Sequence, residues 1–140
     1  DPYDKIGVPT IFSGAFIPIS SRIKSKLNIR NKNVLDKVNI FSKENKIGNE
    51  HFDSKVVISD HVDGSLKRLL SQTRIQEQLL KALEIEQFMS ISFNEYKIDF
   101  IPEFNGVPYL AIINPQSWTL ERKDIEKIFK LIEKIRNCIE

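Results

Sequence analysis

The sequence predicts an α+β domain, an antiparallel sheet covered by helices, and three observations point to it. Short β-rich apolar segments bounded by Gly, Pro, Asn and Asp recur along the chain. Stretches whose leucines and isoleucines repeat at three and four residues follow them. The composition, 41% hydrophobic and 29% charged with a net charge of +2, is that of an ordinary globular chain. Its 140 residues match one domain, 1–140. The single cysteine, Cys138, excludes an internal disulfide and a multi-cysteine zinc site. No apolar run reaches the roughly 20 residues that span a bilayer. The chain opens at Asp1 without a signal-peptide pattern, which predicts an excised piece or a processed product.

The elements follow in order. Residues 8–19 carry Ile11, Phe12, Ala15, Phe16, Ile17 and Ile19, interrupted by Gly14, and predict a strand with a bend. Residues 22–29 alternate basic and apolar, with Arg22, Lys24 and Lys26 against Ile23, Ser25 and Leu27, which predicts a half-buried strand. Residues 38–41 are a weaker strand candidate and 43–49 a polar loop. The Val56-Val57-Ile58 run predicts a strand over 55–59, ended by the turn-forming cluster at 60–64. Ser65 is then placed to cap a short helix with Leu66, Leu69 and Leu70 inward. Ser71 is placed to cap a second helix, whose stripe is Ile75, Leu79, Leu80 and Leu83.

A β-meander is predicted next. Met89, Ile91 and Phe93 form its first strand, Tyr96, Ile98 and Phe100 its second, and residues 109–113 its third. Asn94-Glu95 and Asn105-Gly106 supply the turns. Thr119 caps the last helix, with Ile125, Ile128, Phe129, Ile132, Ile135 and Ile139 as its stripe. Glu126 and Lys130 stand at i,i+4 on the outer face as a favourable pair. The sum is an antiparallel sheet of about six to seven strands, covered on one face by the central helical segment and the long C-terminal helix. A pleckstrin-homology-like sheet with a C-terminal helix is the alternative, and the helical region at 65–86 argues against it.

The residues that carry chemistry are few. Asp60-His61-x-Asp63, with His51 and Asp53 upstream, brings together imidazole and carboxylates, the groups of a hydrolase or metal-dependent enzyme. The simpler reading is a solvated turn, because no metal-ligand spacing is present. There is no G-x-S-x-G elbow and no phosphate-cradling loop, and Cys138 sits in an amphipathic helix, where a thiol packs like an apolar group. Trp118 and the tyrosines are spread over separate elements, as packing residues rather than a base-stacking platform. No catalytic residue, cofactor or metal ligand is assigned, and an enzyme is not the expectation. The basic segment 22–37 is the clearer signal: Arg22, Lys24, Lys26, Arg30, Lys32 and Lys37 stand against Asp36 alone. Arg22, Lys24, Lys26, Arg30 and Lys32 are thus candidates for contact with an anionic surface, a lipid headgroup layer or weakly a nucleic acid. The simpler reading is an edge strand whose lysines discourage edge-to-edge pairing.

Several short motifs also occur in a fixed order. They are Val8-Pro9-Thr10-Ile11-Phe12-Ser13-Gly14, then Phe52-Asp53-x-Lys55-Val56-Val57-Ile58-Ser59-x-His61, then Leu69-Leu70-Ser71 leading into Ile75 and Leu79-Leu80. Ile91-Ser92-Phe93, Tyr109-Leu110-Ala111-Ile112 and Lys123-Asp124-Ile125-Glu126-Lys127-Ile128 complete the series. This order resembles a bacterial family of uncharacterised proteins, domain-of-unknown-function family 3137, over most of the chain. The resemblance departs where the family tends to start a helix with Thr-Pro, since Ser71-Gln72 stands here. It also departs in lacking the transmembrane helices that precede the soluble domain in that family. The resemblance implies the soluble part of a bacterial membrane-associated protein; with the lack of enzyme motifs and the packed α+β pattern, the expectation is a non-catalytic binding or scaffolding module. Its expected place is the cytoplasm or the cytoplasmic membrane face, with an anionic membrane surface or another protein as partner and no specific nucleic acid.

Overall fold

The structure, a computed structural model, describes residues 13–19, 23–32, 46–59, 62–94, 106–114 and 121–139. In chain order these form β1 (Ser13–Pro18), β2 (Leu27–Asn31), α1 (Glu50–Lys55), β3 (Val56–Ser59), α2 (Gly64–Leu70), α3 (Thr73–Leu83), β4 (Ser90–Phe93), β5 (Tyr109–Asn114) and α4 (Arg122–Ile139). The fold is α+β, as predicted. The five described strands make one open sheet in the order β1-β5-β4-β2-β3, antiparallel at every pairing. That is fewer than the predicted six to seven. The two further candidates, at 38–41 and 96–100, lie outside the described residues.

Strand alternation sends one side chain in two toward the helices, and the register lines these up across the sheet. Ala15, Ile112, Ile91, Ile29 and Ile58 stand directly opposite one another in a row through all five strands. Ile17, Leu110, Phe93 and Leu27 make a second row. Both rows belong to the main core, which α4 closes by packing on α3, β1 and β5, while α3 packs on β4. Because α3 packs on β4 beside α4, and α2 packs on α3 and adds Leu66 and Leu70 to the core, the architecture is not a sheet with a C-terminal helix alone.

The opposite face is not left to water. Tyr109, Ala111 and Ile113 form a second buried cluster there with Phe16, whose ring tilts against Tyr109 at 5.8 Å. Ser92, fully buried on the same face, keeps a hydroxyl without a hydrogen-bond partner. Every residue of β5 is buried, which explains its continuous apolar run: a strand covered on both faces has no polar side to alternate with.

Several local expectations change. β2 begins five residues later than the predicted 22–29 strand and lies between β4 and β3, so it is an interior strand and not an edge. Its fully buried Leu27 and Ile29 anchor it there. β4 and β5 pair directly with each other, so no meander strand stands between them. Asn94 makes that junction with a left-handed φ of 56°. Its side-chain oxygen accepts from the Tyr109 N–H at 2.8 Å, and its amide donates to the Ile23 and Ser25 carbonyls.

The helix boundaries also differ. Asp63, two residues before the expected Ser65, caps α2. Ser71 ends α2 instead of starting α3: its hydroxyl turns back to donate to the Lys67 carbonyl at 2.6 Å. Gln76, buried inside the apolar stripe of α3, holds this break by donating to the Leu70 carbonyl at 2.8 Å and accepting from Asn49 at 3.0 Å. Asn49 in turn caps α1, a six-residue helix that the sequence reading does not contain. On α4 the buried residues include Ile128, Leu131, Ile132 and Ile135, whereas Phe129 is 55% exposed. Thr119 lies outside the described residues.

Candidate functional site

Three groups of residues bear on function. The carboxylates of the suspected turn come first. Asp63 sits at the N-cap of α2, where its Oδ1 accepts from the Leu66 N–H at 2.8 Å and its Oδ2 accepts from the Ser25 hydroxyl at 2.6 Å. Asp53, on α1, accepts from the Ile47 N–H at 2.9 Å with one oxygen and from the Gly48 N–H at 2.9 Å with the other. Both carboxylates therefore hold backbone, one a helix start and the other a loop. His51 is exposed on α1. Asp60 and His61 lie outside the described residues. Among the described residues no group of three or more His, Cys, Asp or Glu is placed to hold a metal ion.

This geometry gives a direct expectation. Asp63→Ala is expected to lower the unfolding free energy by about 1–2 kcal/mol, the usual cost of removing an N-cap. Asp63→Asn retains an acceptor for Leu66 and is expected to lose less. A denaturant titration of both variants checks this, and an unchanged midpoint for Asp63→Ala would show the cap to be unimportant.

The basic segment comes second. Lys24 and Lys26 are exposed ahead of β2, and Arg22 lies outside the described residues. Arg30 and Lys32 are half-buried and engaged internally. Arg30 donates to the Asn31 carbonyl at 3.3 Å, and the Lys32 ammonium donates to the Asp53 carbonyl at 3.2 Å. Lys32 also borders a depression of about 350 Å³ with Lys46, Glu50 and Asp53, where charges of both signs meet.

The third group was not singled out from the sequence. A groove of about 410 Å³ opens between the last turn of α3, the residues just after it, and the middle of α4. Lys127, Lys130, Leu131 and Lys134 fall at i, i+3, i+4 and i+7, so one face of α4 presents all four. Lys81, Glu84 and Ile85 face them from the other wall. Leu131 is buried and Ile85 half-buried, both packed into the main core, so the floor is aliphatic and the rim is basic.

Two acids near the start of α4 pair with cations outside the groove. Glu126 pairs with Arg122 at 3.2 Å and not with Lys130 as the spacing suggested, and Glu121 pairs with Lys123 at 3.3 Å. Among the described residues, no ion pair involves the four groove lysines. Among the described residues, four lysines thus line one recess with Glu84 as the one carboxylate beside them. Part of the signal was present in the sequence: Lys127, Lys130 and Lys134 recur at three and four residues along one face, with Glu126 and Glu133 at the edge of that face as neighbours of Lys130.

Among the described residues no helix is long and apolar enough to cross a membrane. Compared with known proteins, the chain matches no family model, no curated protein and no solved structure.

Proposed function

We propose that this domain is a non-catalytic binding module that holds an anionic partner in the groove between α3 and α4. The observation that carries the reading is the set of four lysines, Lys81, Lys127, Lys130 and Lys134, that line one recess and form no ion pair among the described residues. Like charges at i,i+3 and i,i+4 on a helix repel and destabilise it. An anion laid across Lys127, Lys130 and Lys134 reverses the sign of that interaction, so the free domain is primed for a negatively charged ligand. The use of Asp63 and Asp53 as backbone anchors supports a binding role over proton transfer by these two carboxylates. Placement of the module in a membrane-associated bacterial protein rests on the family resemblance of its motifs.

Titration with poly-L-glutamate, followed by NMR shifts of the backbone amides, tests the reading. Lys130→Glu/Lys134→Glu is expected to weaken binding at least about tenfold, as the loss of two close charge pairs implies. Lys24→Glu/Lys26→Glu makes the same change in net charge away from the groove and is expected to change affinity less than about twofold, because separated exposed charges are screened. Equal losses in the two variants would reduce the effect to net charge and overturn the groove as a site. For the membrane part, the complete gene product is expected in the membrane fraction of lysed cells. Its recovery in the supernatant would remove that part of the proposal.

A further inference from the structure

We infer that the groove receives an acidic amphipathic helix from a partner protein, an inference that rests on the anion-binding reading above. Three features of the recess select this occupant. The first is its floor. Ile85 and Leu131 line the groove between basic rims, and an aliphatic floor gives a phosphate or a bare carboxylate nothing to contact. A side chain such as leucine, flanked by carboxylates, would cover the floor and meet the rim together.

The second feature is the spacing of the rim. Lys127, Lys130 and Lys134 advance by seven residues along α4, about 10 Å at roughly 1.5 Å per residue. A helix lying along α4 presents carboxylates at i, i+3 and i+7 with the same advance, so each ammonium meets one carboxylate without distortion. Lys81 closes the opposite wall, where it faces the other edge of the same polar stripe. The third feature is shape. The recess of about 410 Å³ is open and lies between two helices, so it takes the anchor side chains of a helix laid across it and not the helix itself. A bilayer surface is flat at this scale and would touch only the lysine rim, leaving the half-buried Ile85 uncovered. Observations therefore favour a protein segment over a membrane.

The probes are two synthetic peptides and one vesicle. One peptide carries a heptad pattern of leucine and glutamate, and the second replaces its leucines with serine while keeping every glutamate. The vesicles are phosphatidylglycerol. With the whole domain, the leucine peptide is expected to shift the methyl NMR signals of Ile85 and Leu131. Its affinity is expected to exceed that of the serine peptide at least about tenfold, as burying an aliphatic anchor implies. Lys130→Glu/Lys134→Glu is expected to abolish the methyl shifts, whereas Lys24→Glu/Lys26→Glu leaves them in place. Raising the salt from about 0.05 M to about 0.5 M is expected to weaken the complex several-fold, because the rim contacts are exposed.

Equal affinity for the two peptides would overturn the helix assignment while leaving the anion-binding reading intact. Vesicles that bind the domain and displace the leucine peptide would overturn it in favour of a membrane surface. Failure of poly-L-glutamate and both peptides to bind would overturn both readings at once.

Discussion

Replacing Gly14 with alanine is expected to lower the unfolding free energy by about 3–5 kcal/mol, combining the costs of overpacking and of a disfavoured backbone angle. Gly14 lies in β1 with a φ of +154°, where L side chains are rarely found. A Cβ there would come within 2.1 Å of the Ile112 carbonyl oxygen and 2.6 Å of the Ile113 Cα. Both are backbone atoms of β5, so no rotamer change relieves the clash. The two strands must separate, and they are paired over all six residues of β1. Separation also disturbs α4, which packs on both strands. Gly64→Ala is the matched control, since a Cβ at that position meets nothing within 4 Å. Denaturant titration of the two variants should show a large loss for Gly14→Ala and a change within about 0.5 kcal/mol for Gly64→Ala, the range of ordinary surface substitutions. Similar midpoints would mean that β1 and β5 do not approach as closely as described.

Much of the fold was legible because it follows from periodicity. The stripe Ile128, Ile132 and Ile135 and the alternation Ile91, Phe93 each mark a buried face that the structure retains. Periodicity fails where a short element has one anchor. α1 buries only Phe52 and is started by the Asn49 cap, so its six residues carry no repeat to read. It fails again where two partners have equal claim. Glu126 stands four residues from both Arg122 and Lys130, and spacing alone does not choose between them. The choice matters here, because pairing with Arg122 leaves Lys130 facing the groove. The second wall of that groove is tertiary information. Lys81 and Lys134 are far apart in the chain, and only the packing of α3 on α4 brings them to one recess.

The capping errors share a cause. Asp63, Ser65 and Ser71 are all favoured cap residues, and the sequence offers them within nine positions. Asp63 is selected because Ser25, from the segment before β2, donates to its second oxygen. A cap supported by a partner 38 residues away is a tertiary choice. The same fact separates structure from chemistry at this turn: a carboxylate with both oxygens engaged by donors is a poor proton shuttle and a good anchor.

Ile128→Ala is expected to cost about 2–5 kcal/mol, the range for removing most of a buried aliphatic side chain and leaving a cavity. Ile132→Ala is expected to behave alike. Ile128 is fully buried and Ile132 nearly so, both within the cluster where α4 meets the sheet and α3. Phe129 provides the internal contrast. By hydrophobicity it belongs to the same stripe, yet it projects about 100° further round the helix from Ile128 and is 55% exposed. Phe129→Ala is therefore expected to change stability by no more than about 0.5 kcal/mol, despite deleting the larger side chain. Urea titration of the three variants, each fitted with its own slope, separates the cases. A loss at Phe129 equal to that at Ile128 would mean that α4 is rotated from the orientation described. Because Lys127, Lys130 and Lys134 are carried on the same helix, that rotation would also turn them out of the groove. The stability contrast between adjacent residues thus tests the placement on which the binding site depends, without requiring any ligand.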